Sequence, residues 1–221
     1  MSPSAKGNKP LLFRTRLSAD QWEKSVERIV SDASLTAAGL QKLLALGSYR
    51  TAWRMARLIH EAMNRVEWPV LHGEVEVCEA MIGARYARFW VLAERHPAGH
   101  LGAIRTLRAG QSIGNDLDEL VPLIEPGSTV VTSKLATFAR LEALGFHRRC
   151  EETDKEGLLP STQSVVSAIR TMLQARHHLG VTPRWAHLWA AEYCFRHNAA
   201  YSDLGLPDQR ALVLKALHTG I

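Results

Sequence analysis

The chain has 221 residues, of which 46% are hydrophobic and 22% charged, and this is the composition of a globular protein with a full buried core. No apolar run approaches the roughly 18 residues of a membrane span, so we expect no membrane partner. The net charge is +5, and all of the excess lies in residues 1–70, while residues 71–221 are neutral. A basic first third beside a neutral body favours a polyanionic partner, most often nucleic acid.

The N-terminus and the cysteines predict a cytoplasmic protein. Residues 1–12 are basic and small with no apolar stretch behind them, so we expect a flexible basic tail rather than a signal peptide. The three cysteines, Cys78, Cys150 and Cys194, have neither the spacing of a disulfide framework nor that of a CxxC zinc site. Free thiols are typical of a reducing compartment.

The predicted elements begin with two helices. The sequence S-A-D-Q at 18–21 is a capping box, in which a serine and a glutamine satisfy backbone N–H groups at a helix start. A second helix is predicted to begin after Ser34 or Thr36 and to run to Leu46, where Gly47 ends it.

A third helix, Tyr49–Asn64, is predicted to start at the cap Ser48 and to have two faces. One face is apolar and should pack on the other helices: Ala52, Met55, Ala56, Ile59 and Met63. The other face and the first turn hold the residues that we predict to contact DNA: Ser48, Tyr49, Arg50, Thr51, Arg54 and Arg57. Two short helices, a glycine turn and a longer basic helix describe a helix-turn-helix, so 13–69 is predicted to be a DNA-binding domain. A solvated basic face on a three-helix bundle is the alternative.

A second domain is predicted over 70–221, after a boundary at Trp68-Pro69. Strands are predicted at His72–Ile82, Arg88–Ala93, Gly102–Leu107, Ser128–Thr132 and Phe146–Cys150. Helices are predicted at Asp116–Ile124, Leu135–Leu144, Thr162–Arg176, Pro183–Asn198 and Asp208–Leu217. A three-strand meander followed by helix, strand, helix, strand and helix gives an α/β domain with a mixed five-stranded sheet flanked by helices.

Several segments, in this order, resemble the bacterial insertion-sequence transposases of the ISXO-like group. They are L-G-S-Y-R-T-A-W-R-M (Leu46–Met55), V-E-V-C-E (Val75–Glu79), I-E-P-G-S-T-V-V-T-S (Ile124–Ser133), the Pro160–Val181 segment and F-R-H-N (Phe195–Asn198). The resemblance covers nearly the whole chain from about Phe13. It implies an N-terminal helix-turn-helix and a ribonuclease-H-like DDE catalytic domain, whose element order matches the predicted one.

The resemblance also implies a site for two magnesium ions, from which this chain departs. The family's three metal-holding positions align with Cys78, Ser133 and Ala168. Magnesium requires oxygen ligands, whereas a thiol is soft, a serine hydroxyl is neutral and alanine has no ligand atom. We therefore expect no metal, no other cofactor and no strand cleavage. Arg170 matches the basic residue after the third position and is a further candidate contact with a DNA phosphate.

Other chemically suggestive residues are predicted to be structural. No histidine can be placed beside Cys78 from the sequence, so we expect an inert core thiol rather than a nucleophile. His177 and His178 are adjacent and point in different directions on a helix, so with His187 they form a poor metal site. One aromatic and aliphatic set has the spacing of an ordinary apolar helix face: Trp185, Leu188, Trp189 and Phe195.

Together these patterns predict a transposase-derived, catalytically inactive DNA-binding protein, cytoplasmic and associated with the nucleoid. Its expected partners are double-stranded DNA and a second copy of itself or other protein subunits. Two other functions stay open. One is an active metal-dependent nuclease or transposase, with magnesium as cofactor, in which Glu76 or Glu79 replaces a lost ligand. The other is a protein-interaction scaffold that binds no DNA.

Overall fold

The computed structural model describes residues 17–82, 87–96, 99–110, 113–133, 136–177 and 182–219. These residues form eight α-helices and one five-stranded sheet. The chain divides into two compact units, the first made of Met1–Glu67 with Ser202–Ile221 and the second of Trp68–Tyr201. The predicted mixed five-stranded sheet with flanking helices is confirmed. Among the described residues, no helix is both long and apolar enough to cross a membrane.

The first unit contains α1 (Ala19–Ser31), α2 (Ala37–Leu43), α3 (Tyr49–Asn64) and α8 (Leu206–His218). The predicted capping box is confirmed, because the backbone N–H of Gln21 donates to the Ser18 hydroxyl and the Ser18 N–H donates back to the Gln21 side chain. Helix α2 begins at the cap Thr36 rather than at Ser34. Helix α3 has the predicted bounds and the predicted Ser48 cap.

The turn between α2 and α3 differs from its prediction. Helix α2 ends at Leu43 instead of Leu46, and Ala45 rather than Gly47 takes the left-handed conformation, with φ 48°. The Leu46 N–H donates to the Gln41 carbonyl at 3.0 Å, which is the closing hydrogen bond of a Schellman motif. Leu46 is thereby turned inward and is 7% exposed, so burial of this leucine stabilises a conformation that alanine adopts only at a cost.

Helix α8 belongs to the first unit, whereas the sequence-based domain assignment placed it with the sheet. It packs on α1 and α3 and buries Val213, Ala216 and Leu217. Arg210 forms an ion pair with Glu23 at 2.7 Å and lies 3.6 Å from Glu27. Helix α8 therefore forms one helical unit with α1, α2 and α3. The sequence of α8 shows that the helix has residues to bury, but it does not show which helices cover them.

The sheet of the second unit has the order β3-β2-β1-β4-β5. Its strands are β1 (Glu74–Ile82), β2 (Ala87–Arg95), β3 (Leu101–Arg108), β4 (Thr129–Thr132) and β5 (His147–Cys150). Strands β1, β2 and β3 form the predicted antiparallel meander, and β4 and β5 add to β1 in parallel. Strand β1 begins at Glu74 rather than at His72, after Gly73 with φ +72°.

Helices α4 (Ile113–Leu120), α5 (Arg140–Ala143), α6 (Pro160–His177) and α7 (Pro183–Tyr201) complete the second unit. Alternate residues of β1 point into two cores. The core that contains Cys78 is completed by α6 and α7, and the core that contains Val77 is completed by residues from α4 and α5. The sheet thus has a core on each face, and the central strand β2 is buried at seven of its nine positions.

Two predicted helices contain 3₁₀ turns, and the first of them, α4, begins at Ile113 rather than at the predicted Asp116. Helix α4 gives way at Val121–Leu123 to 3₁₀ geometry, because Pro122 lacks the N–H that an α-helix needs. The helix predicted at Leu135–Leu144 consists of the 3₁₀ turn Ala136–Ala139 and the short α5, while Leu135 lies outside the described residues.

The edge strand β3 is covered by the end of α7. The Asn198 amide accepts from the Ile104 N–H and donates to the Ile104 carbonyl, both at 2.9 Å, and His197 Nε2 lies 2.8 Å from the Gly102 carbonyl. These contacts replace the hydrogen bonds of a missing neighbour strand, which protects the edge from pairing with another chain. The F-R-H-N segment thus has a clear structural role.

Candidate functional site

The outward face of α3 carries the predicted DNA contacts. Tyr49 is 53% exposed and Trp53 is 38% exposed, and the Arg50 and Arg54 side chains are exposed, whereas Arg57 is half-buried. Four of the five predicted core positions on the opposite side of α3 are buried: Ala52, Met55, Ile59 and Met63. The fifth, Ala56, is half-buried. Because the apolar side is anchored, the orientation of the basic side is fixed.

Ser48 and Thr51 lie at the start of α3 but hydrogen bond to each other. The Ser48 hydroxyl accepts from the Thr51 backbone N–H at 3.2 Å and lies 2.9 Å from the Thr51 hydroxyl. Their role in this structure is to cap the helix and thereby to set the position of Tyr49 and Arg50. The capping contact leaves both hydroxyls on the protein surface at the N-terminal end of α3, where the helix dipole also favours an anion.

Trp53 is the surface residue that sequence reasoning missed. Its position one helical turn after Tyr49 was visible in the sequence, but tryptophan is usually assigned to a core. The structure brings it to the same side of α3 as the arginines, so the candidate surface is a mixture of cationic and aromatic groups.

The three positions aligned with the metal-holding residues of the resembled transposases lie near the junction of β1 and β4. Glu76 pairs with Val131 in the parallel register, and two residues further along these strands lie Cys78 and Ser133. Ala168 lies in α6, which packs on β1, and is half-buried. Fold and register therefore bring these elements together, but the side chains supply a thiol, a hydroxyl and a methyl group.

Cys78 is 3% exposed and faces α6. Burial raises the pKa of its thiol, while a hydrogen bond with Thr162 acts in the opposite direction. A buried, protonated thiol is a poor ligand for magnesium and a poor nucleophile. These residues do not fit a two-magnesium site, and among the described residues no cluster of three His, Cys, Asp or Glu side chains is arranged to hold a metal ion.

Glu76, which we considered as a substitute ligand, is fully buried and engaged on both carboxylate oxygens. Oε1 accepts from Arg95 Nε at 2.7 Å and from the Ser161 N–H at 3.1 Å, and Oε2 accepts from the Thr162 N–H at 2.8 Å. The two N–H groups open α6, so Glu76 satisfies the helix start as an N-cap residue would. Its carboxylate is used to hold α6 on the sheet.

An ion-pair network extends from Glu76 across the sheet. Arg95 donates two hydrogen bonds to Glu151, at 2.7 and 2.8 Å, and Arg149 donates two to Glu74, both at 2.6 Å. Arg149 also donates to Glu151 at 3.0 Å. The hydrogen bonds from Arg149 lower the pKa of Glu74, and those from Arg95 lower the pKa of Glu151. The network joins residues of β1 and β2 to β5 and the residue that follows it.

Ser133 faces an open cleft of about 770 Å³ at the carboxyl end of β4, together with Glu79 and Arg170. Glu79 forms an ion pair with Arg88. Arg170 donates to the Met81 carbonyl at 3.0 Å and pairs with Glu156 at 2.8 Å. The charged groups named here are thus paired within the protein, and Cys78 is not among the described residues that line the cleft.

The remaining candidates from the sequence are the large apolar residues of α7 and the histidines near it. Leu188 and Phe195 are buried, as expected of core residues, and the half-buried Trp189 packs against the core that contains Cys78. Trp185 is half-buried, with the Arg184 guanidinium 4.7 Å from its ring centroid. His178 lies outside the described residues, so the prediction that His177, His178 and His187 do not form a metal site stays a prediction.

Comparison with models of known protein families finds no match, and no curated protein matches the chain.

Proposed function

We propose that this protein is a catalytically silent DNA-binding protein derived from a transposase, in which α2 and α3 act as a helix-turn-helix and the sheet unit is ribonuclease-H-like. Its retained role is to hold duplex DNA, as a regulator, an architectural factor or a subunit of a DNA-handling complex. The observation that carries the proposal is the outward face of α3, where Arg50 and Arg54 are exposed beside two aromatic rings.

Three structural features support the DNA-binding part of this proposal. Helix α3 starts at an exposed serine cap, its opposite side is anchored in the core of the unit, and α2 precedes it by a short turn. A recognition helix needs this arrangement, because its N-terminal residues must project into the major groove while its other side holds it in place. Arginine can donate to guanine or to phosphate from such a position.

The silent character is supported by the chemistry of the residues at and beside the positions aligned with the metal-holding residues. Cys78 is buried and protonated, Ala168 has no ligand atom, and Glu76 already accepts hydrogen bonds from three groups. Nicking of a labelled duplex in the presence of Mg²⁺ or Mn²⁺, by protein free of contaminating nuclease, would contradict this part of the proposal. Loss of that nicking in a Glu79→Gln variant would assign it to this chain.

The DNA-binding part is tested by the double variant Arg50→Ala/Arg54→Ala. Affinity for a duplex should fall at least tenfold, and the slope of log K against log salt should decrease by up to about 1.8, because each phosphate contact contributes about 0.9. The matched control is Lys24→Ala/Arg28→Ala, which removes the same charge from exposed positions on α1. The measurement is duplex binding by fluorescence anisotropy at several salt concentrations.

The two variants separate the possible outcomes. A large effect of the α3 variant with little effect of the α1 variant supports recognition through α3. Equal losses in both would indicate that net charge alone attracts DNA. Unchanged binding by the folded α3 variant, or no binding of any duplex at low salt, would overturn the proposal, and co-purification of a protein partner would then favour a scaffold.

A further inference from the structure

Two large aromatic side chains lie on the basic face of α3 and keep a substantial part of their surface in solvent. Tyr49 is 53% exposed and Trp53 is 38% exposed. The exposed part of a large aromatic ring contributes to binding when a partner covers it.

The helix geometry places these rings among the arginines. At 100° per residue, Tyr49, Trp53, Arg57, Arg50 and Arg54 fall within an arc of about 140°. The buried residues of α3 other than His60 fall in the opposite arc. A partner that approaches the arginines must therefore meet both rings at the same time.

The partner must combine negative charge with apolar groups at regular spacing. In the major groove of a DNA duplex, the one apolar group on the base edges is the C5 methyl of thymine. Tyr49 and Trp53 are separated by a rise of about 6 Å along α3, which is close to two base-pair steps of about 3.4 Å. The spacing of the rings thus fits methyl groups that are two base-pair steps apart.

On this basis we propose that Tyr49 and Trp53 read thymine methyl groups in the major groove, while Arg50 and Arg54 hold the phosphates or guanines beside them. The inference rests on the proposed function and deepens it, because it names the feature of the DNA that the site selects. A single strand, in which the bases would stack on the rings, is the competing ligand, and the experiment distinguishes the two.

The experiment begins with a duplex that the wild-type protein selects from a randomised pool. The same duplex is then prepared with deoxyuridine in place of every thymidine, which removes the methyl groups and keeps the base-pairing pattern. Each methyl buried at the interface should contribute about fourfold in affinity, so the substituted duplex should bind roughly 4- to 15-fold more weakly. Both affinities are measured at one salt concentration.

Three variants are compared by the ratio of their affinities for the two duplexes. A substitution that only disturbed the fold would weaken both duplexes and leave this ratio unchanged. Trp53→Ala should bind the thymine duplex more weakly and should distinguish it from the deoxyuridine duplex by about fourfold at most, because only the contact of Tyr49 remains. Tyr49→Ala, at the exposed start of α3, should reduce the discrimination in part and serves if the tryptophan variant does not fold. Arg50→Ala/Arg54→Ala should weaken both duplexes by the same factor and leave their ratio unchanged.

The outcomes for the inference and for the proposed function are separate. Equal affinity of the wild-type protein for both duplexes would overturn methyl recognition while DNA binding itself stood. Tighter binding of the corresponding single strand would also overturn it, in favour of base stacking. If no duplex is selected from the pool and none binds at low salt, the proposed function fails as well.

Discussion

Replacing Glu76 with alanine should destabilise the sheet unit more than any change at the surrounding ion pairs. The substitution removes the acceptor of the Ser161 and Thr162 N–H groups, and loss of an N-terminal cap costs about 1 kcal/mol. It also removes one partner of a buried ion pair, which costs about 3–5 kcal/mol. The lower end of that range applies, because Arg95 keeps two hydrogen bonds to Glu151.

The expected loss in free energy of unfolding of the second unit is therefore about 4 kcal/mol. Because the chain has two compact units, one global unfolding transition would not report the stability of the second unit alone. The assay is therefore hydrogen exchange resolved by peptide. The slowest amides of β1 and α6 should exchange roughly a thousandfold faster, since each 1.4 kcal/mol is a factor of ten. Amides of α1 and α3 serve as an internal reference.

The matched control is Glu151→Ala, which removes a carboxylate from the same network at a position that is one-third exposed. Exposed ion pairs contribute about 1 kcal/mol or less, so exchange should accelerate only several-fold. Equal acceleration in the two variants would refute the reasoning that burial makes Glu76 the anchor of α6. If Glu76→Ala does not fold, Glu76→Gln keeps one acceptor and should lie between the two.

Two other measurements test the environments of the thiols and the carboxylates. A thiol reagent should label Cys150 rapidly in the native protein and Cys78 and Cys194 only on unfolding, because both are buried, and burial raises the pKa of Cys78 and raises that of Cys194 to about 11. Rapid native labelling of two or three thiols would contradict the core assignment. The pKa values of Glu74 and Glu151 are lowered by hydrogen bonds from arginines, so their contribution to the stability of the sheet unit is present above pH 4.5 and is lost as the pH falls through the lowered values. The midpoint of urea unfolding should thus change little between pH 7 and 5 and fall below pH 4.5, and a Glu74→Gln/Glu151→Gln variant should show a smaller fall.

The local structure of the helical unit could be predicted because its signals act over a few residues. The Ser18 capping box and the Ser48 cap each involve residues three positions apart, and both helices start where predicted. The turn after α2 was predicted wrongly, because glycine preference favoured Gly47, whereas burial of Leu46 decided the conformation at Ala45.

The candidate surface was predicted only in part. Arg50 and Arg54 were identified from periodicity and are exposed, while Ser48 and Thr51 are held by the helix start. The sequence did not indicate that Trp53 belongs to this surface, because a tryptophan at helical spacing is usually a core residue.

The sequence by itself determined which segments become helices or strands and which side of each is apolar, because periodicity and caps depend on neighbours along the chain. Only the tertiary structure decided that α8 completes the N-terminal unit and that Glu76 holds the start of α6. The first contact joins residues such as Glu23 and Arg210. The second joins positions about 85 residues apart. No local pattern specifies such partners, since they are selected by the burial of apolar faces and by the need of each buried charge and N–H group for a partner.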